Sequence, residues 1–210
     1  MKKLLLLLIV NGFIAAGSAQ ESYWQQQVDY TIRVSLNDND HTLDGFIKIL
    51  YLNHSPDTLQ HIWFHLWPNA FKSDRTAFSE QMLQNGHTAF YFSSPEQKGY
   101  INQLDFRVNE VRAELEDHPA HIDIVKLILP SALLPGQQVT ITTPFHVKLP
   151  QYFSGMGHTG QSYYVSQWYP KPAVYDSKGW HPMPYLQQGA SYSDPASFDV
   201  TITLPRNYAV

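Results

Sequence analysis

Apolar residues in this chain recur at every second position, in short runs separated by turn-forming residues. Tyr30, Ile32, Val34 and Leu36 alternate with Thr31, Arg33 and Ser35. Successive side chains of a strand point to opposite faces, so this pattern describes a strand buried on one side. Asn37-Asp38-Asn39-Asp40 follows, residues that tolerate left-handed backbone and bond their own main chain. The alternation resumes from Leu43 to Leu52 and predicts a hairpin, with Gly45 marking a bulge or a close backbone approach. After the turn Asn53–Asp57, Leu59 to Leu66 predicts a third strand. Ile62, Phe64 and Leu66 lie on one face, His61, Trp63, His65 and Trp67 on the other, and Pro68 ends it.

Strand-like alternation returns over Tyr100 to Leu115 and His121 to Leu129, around the turn Glu116-Asp117-His118-Pro119. Pro135-Gly136 precedes another run through Val139, Ile141, Phe145, Val147 and Leu149, and Phe198, Val200, Ile202 and Leu204 form the last. Lys72 to Gln84 has a looser spacing, consistent with a short amphipathic helix or an ordered loop. From Pro150 to Tyr192 the composition shifts to Gly, Pro, Tyr and Trp, and a loop of that length inside a domain is usually functional. The fold class expected is all-β: a large, mostly antiparallel β-sandwich or saddle-like sheet with long aromatic loops.

Residues 1–19 read as a signal peptide, with Lys2 and Lys3 ahead of the apolar run Leu4–Val10 and Gly17-Ser18-Ala19 at the cleavage positions. That run is shorter than the ~20 residues a bilayer span needs. Residues 20–210 are then one β-domain, secreted or periplasmic, with no membrane insertion after signal cleavage. The chain has no cysteine, so disulfides are excluded. Its net charge of −4, without a basic block, argues against nucleic acid as a partner.

Motifs for independent catalysis are missing from the sequence. Gly-x-Ser-x-Gly does not occur, so there is no nucleophile elbow. His61 and His65 would lie roughly 13 Å apart on one strand face, too far to share a metal ion. His118 and His121 could meet a metal with help from Asp117 or Asp123, but one such spacing without cysteine is a weak signal. In the 150–192 region, Tyr163, Tyr164, Trp168, Tyr169, Tyr175 and Trp180 suit either the wall of a groove or a loop packed on its own sheet.

Two segments carry a resemblance, Tyr51–Phe71 (YLNHSPDTLQHIWFHLWPNAF) and Gln167–Tyr185 (QWYPKPAVYDSKGWHPMPY). With Leu43-Asp44-Gly45 and the run Phe198–Pro205, they resemble the N-terminal domain of the aminopeptidase N-like (membrane alanyl aminopeptidase) family of zinc metallopeptidases, in its extracellular bacterial branch. The resemblance covers nearly all of residues 20–210. It implies that Gln167 corresponds to a glutamine that approaches the N-terminal end of a peptide substrate. The family's Arg-x-x-x-Pro-x-x-Asp-x-Pro pattern is not reproduced: Tyr169-Pro170 and Tyr175-Asp176 occupy that region, with Gly179-Trp180-His181-Pro182 inserted.

Such enzymes hold zinc through His-Glu-x-x-His on a helix, where the intervening glutamate is the general base. No His-Glu pair occurs here. The expectation is therefore an N-terminal β-domain that shapes a substrate entrance and does not hydrolyse peptides alone. No residue of this chain is then catalytic or a metal ligand, zinc belongs to the full-length family enzyme, and the partner is a downstream catalytic domain of the same polypeptide. The competing expectation is a secreted, non-catalytic β-sandwich module that binds peptide or glycan through Trp63, Trp67, Trp168 and Trp180.

Overall fold

In a computed structural model, residues 23–189 and 191–208 are described; the predicted signal peptide lies outside them. Strands dominate, as the period of two requires. The first three are β1 (Gln27–Asn37), β2 (Thr42–Leu52) and β3 (Leu59–His65), and a 3₁₀ turn, Trp67–Phe71, follows where Pro68 stops the strand. The looser segment contains a helix, α1 (Ala77–Gln84). Next come β4 (Tyr100–Asn102), β5 (Arg107–Val108), β6 (Val111–Arg112), β7 (Glu114–Asp117), β8 (Ile124–Leu133) and β9 (Gln138–Lys148). The aromatic region holds β10 (Met156–Thr159), β11 (Ser162–Val165), β12 (Lys171–Pro172), β13 (Val174–Asp176) and β14 (Gly179–His181), and β15 (Ala196–Thr203) follows.

The larger sheet runs β15-β1-β2-β9-β5-β6, with β4 also on β9, and the smaller runs β12-β3-β8-β7. All pairings within them are antiparallel except β1 with β15, which is parallel and sets Tyr30 opposite Phe198. The two sheets share one core. Ile32, Ile47, Ile49 and Ile141 of the larger sheet and Ile62, Phe64 and Leu127 of the smaller are buried in a single cluster, and Phe64 meets Phe106 edge to face at 4.9 Å. Each such side chain stabilises the fold by about 1.5–3 kcal/mol through removal of apolar surface from water.

Gly45 marks a close approach and no bulge, because the β1–β2 and β2–β9 registers run through it unbroken. The ring of Phe145 occupies the space a β-carbon would need there. The turn at Asn37 forms as its residues dictate: the Asn37 Oδ1 accepts from the amides of Asn39 and Asp40. At the next turn, buried Asn53 ties two connections together. Its Nδ2 donates to the carbonyls of Asp57 (2.8 Å) and Leu133 (3.1 Å), and its Oδ1 accepts from Ser55 and Gln26.

Helix α1 begins where Thr76 caps it: the Thr76 hydroxyl accepts from the Ser79 amide at 3.3 Å, filling one of the unpaired donors of a first turn. Phe78 and Met82 are buried on its inner face, with Phe71 tilted against Phe78 and Phe90 meeting it edge to face. Among the described residues no helix is long and apolar enough to cross a membrane.

The aromatic region expected as one long loop is a structured layer. β10–β11 and β13–β14 are hairpins, and β12 pairs with β3. Trp168, Tyr169, Tyr175 and Trp180 pack against the core, while Tyr164 is exposed. Packing on its own sheet is thus what most of these rings do.

Candidate functional site

Gln167 sits between β11 and β12 with φ of 54°, a left-handed backbone uncommon for a residue with a β-carbon. The next residues are forced to extend, because Tyr169 and Lys171 each precede a proline. Pro172 has no amide hydrogen and occupies an edge strand, where none is needed. This extended piece sets Lys171 opposite His65 and Pro172 opposite Phe64, and the Ala173 amide donates to the Trp63 carbonyl at 2.8 Å.

Lys171 is only 5% exposed. Its Nζ donates to Gln167 Oε1 at 3.0 Å and to Ser193 Oγ at 2.8 Å, and lies 3.9 Å from the centre of the Trp67 ring. Burial lowers the pKa of this ammonium to about 8.

His65 and Trp67, two positions apart on the same side of the chain, stack with ring centres 4.7 Å apart. Both are buried. His65 Nε2 accepts the Met183 amide at 3.1 Å, so its own proton is assigned to Nδ1. Burial first, and the charge of Lys171 second, lower its pKa to about 3 and keep it neutral. Trp67 Nε1 donates to the Met183 carbonyl, also at 3.1 Å. Further along, the Tyr185 amide donates to buried Asp123 at 2.7 Å, and Gln188 exchanges two hydrogen bonds with the Gln81 side chain on α1.

These anchors leave a cleft of about 360 Å³ whose walls include Trp67, Ser166, Gln167, Met183, Tyr185 and Gln187. A smaller space of about 130 Å³ adjoins it behind Gln167, reached by Lys171, Ser193 and Asp194. A larger cleft, about 730 Å³, lies beyond Asp194 and is lined by Trp24, His54, Tyr175, Asp176 and Tyr192. Asp194 is shared by both of the latter spaces, and its pKa is raised to about 6, by burial first and then by the charge of Asp176.

The Gln167 cleft offers an amide and backbone groups, which can orient a ligand. Among the described residues no group of three His, Cys, Asp or Glu side chains could hold a metal ion. His118 and His121 do stack at 5.0 Å, but His118 Nδ1 is taken by the amides of Ala120 and His121, where it closes a turn. His61 meets Trp63 and Trp180, apart from His65.

Sequence reasoning singled out Gln167 but missed Lys171 as its partner, and missed the grip of His65 and Trp67 on Met183. The signal for Lys171 was its place between two prolines in an otherwise aromatic run.

Solved structures that align with the chain include M1 zinc metallopeptidases. A mutant of one from Deinococcus radiodurans aligns at 17% identity over 86% of this chain and 32% of its own, with a TM-score of 0.45. A mutant of it bound to a Tyr-Ser-Ala substrate aligns at 16% identity over 89% and 33%, with a TM-score of 0.45. A two-domain M1 zinc metallopeptidase mutant bound to L-arginine aligns at 14% over 87% and 32%, with a TM-score of 0.43. The chain thus spans about one third of the length of these proteins. No family model matches the chain. No curated protein matches it either.

Proposed function

We propose that this chain is the N-terminal β-domain of a zinc-dependent, aminopeptidase-like metallopeptidase, and that the Gln167 cleft is part of its substrate entrance. The observation that carries the reading is the cleft itself. The glutamine named from the two motif segments stands on a left-handed backbone at its wall, with its side chain anchored, facing a segment held by His65 and Trp67. Such a site binds and orients a peptide through amide and main-chain groups.

The side chains described here do not suit zinc, so no step is assigned to the metal in this chain. On this reading zinc and the general base belong to a catalytic domain of the same polypeptide, and the protein acts outside the cytoplasm after loss of residues 1–19. A separate module binding peptide or glycan would need its tryptophans free. Trp67 is 4% exposed, and Trp168 and Trp180 pack on the core, which favours the first reading.

The test is hydrolysis of aminoacyl-anilides with zinc supplied, by the 210-residue chain and by the product of its extended reading frame. The chain alone is expected to be silent and the longer product active, with Gln167→Ala raising KM about tenfold at nearly constant kcat. An inactive longer product would sink the peptidase reading, and an unchanged KM would remove Gln167 from it.

A further inference from the structure

We propose that Lys171 is the positioning residue for Gln167: its side chain holds the carboxamide oxygen and thereby fixes the rotamer in which the amide meets a ligand. The proposal rests on the reading of Gln167 as a substrate contact.

A glutamine side chain at a cleft wall has several accessible rotamers, and freezing it at binding opposes affinity. Here the freezing has already happened. Lys171 Nζ reaches back four positions to Gln167 Oε1 at 3.0 Å, and the lysine is itself immobilised by Ser193 at 2.8 Å and by the Trp67 face. Among the described residues no carboxylate forms a salt bridge with this ammonium. An ion pair therefore does not account for a charge buried at this depth; the acceptors it meets are the glutamine and serine oxygens. A hydrogen bond from a charged donor is shorter and stronger than a neutral one, so the charge is what makes the hold on Oε1 firm.

The arrangement also makes the hold sensitive to pH. Burial lowers the Lys171 pKa to about 8, so the charged donor is lost as pH rises through that value. The other titratable groups facing it do not interfere. His65 is neutral well above about 3, Asp194, raised to about 6, completes its ionisation before the Lys171 midpoint, Tyr169 is pushed up to about 12 and Tyr30 lies well above its ordinary range.

Side-chain NMR of the 210-residue chain between pH 6.5 and 9.5 tests this without any ligand. In the native chain the Gln167 Cδ and Nε2 resonances are expected to shift together with a midpoint near that of Lys171 Cε. Lys171→Arg should keep the low-pH position and abolish the shift, because guanidinium does not titrate in this range. Lys171→Met should bring the Gln167 amide to averaged, random-coil values. A Gln167 side chain whose resonances ignore pH in the native chain would overturn the proposal, as would one that keeps its fixed position in a folded Lys171→Met variant. Should that variant fail to fold, the native and arginine titrations decide alone. Loss of the peptidase reading would show separately, as an inactive longer product with this titration intact.

Discussion

His65 and Trp67 hold the two ends of one residue: the Met183 amide donates to the imidazole Nε2 and the Met183 carbonyl accepts from the indole Nε1, each at 3.1 Å. Alternation along the chain puts both rings on the same side, and the 3₁₀ turn beginning at Trp67 brings the second ring over the first. The cleft beside Gln167 has its shape because this grip fixes the far wall.

Replacing His65 with Phe keeps the ring but leaves the Met183 amide without its acceptor, at an expected cost of about 1–3 kcal/mol in urea unfolding at pH 7. The acid limb should change in the opposite sense. The folded-state pKa lies near 3 against an ordinary 6.5, so the unfolded chain takes up a proton that the folded chain refuses. Native stability is then lost progressively as pH falls from about 6.5 towards 3. His65→Phe should flatten that part of the profile; an unchanged slope would show that the imidazole is not held neutral.

Asp194 has the reverse dependence. Its folded-state pKa is about 6 against an ordinary 3.8, so the folded chain binds the extra proton and loses stability as pH rises from 3.8 through 6. Partial exposure screens the effect to no more than about 1 kcal/mol. Asp194→Asn should therefore be neutral at pH 4 and slightly stabilising at pH 7.5, as read from thermal melts at the two values.

Asn53→Leu removes a side chain that satisfies carbonyls of Asp57 and Leu133 and accepts from Ser55 and Gln26, all at a buried site. The groups left unpaired should lower stability by at least ~2 kcal/mol in urea unfolding. An effect within experimental error would mean the two connections are held by their backbone bonds alone.

Gly45→Ala places a methyl group where the Phe145 ring lies, with an expected cost of about 1–3 kcal/mol. Adding Phe145→Leu should return part of that loss, because the two sites share the contact. Thermal denaturation of both single variants and the double variant measures the coupling.

Much of the scaffold could be read from the chain. β1, β2, β3, β9 and β15 are long enough for a period of two to repeat several times, and the Asn37 and Pro135-Gly136 turns carry residues whose side chains or backbone preferences make a turn locally favourable. The segment from Tyr100 to Leu115 was less legible. What reads as continuous alternation is broken into β4, β5, β6 and the start of β7, because Asn109 and Glu110 take positive φ at a tight reversal. Between Pro150 and Tyr192 the strands are two to four residues long, too short to show any period.

The order of apolar and polar residues, together with the turn formers, determined that this protein is made of strands and which face of β1, β2, β3 and β9 is buried; in β15 the alternating Phe198, Val200 and Ile202 stay exposed. Local sterics and the hydrophobic effect act on neighbouring residues, so that information is written along the chain. Only the tertiary structure decided that β15 lies parallel to β1 and that β12 docks on β3. It alone brought Lys171 from between two prolines to the oxygen of Gln167 and the face of Trp67. Those contacts join residues far apart in the sequence, and burial of a charge beside neutral partners is a property of the space they enclose.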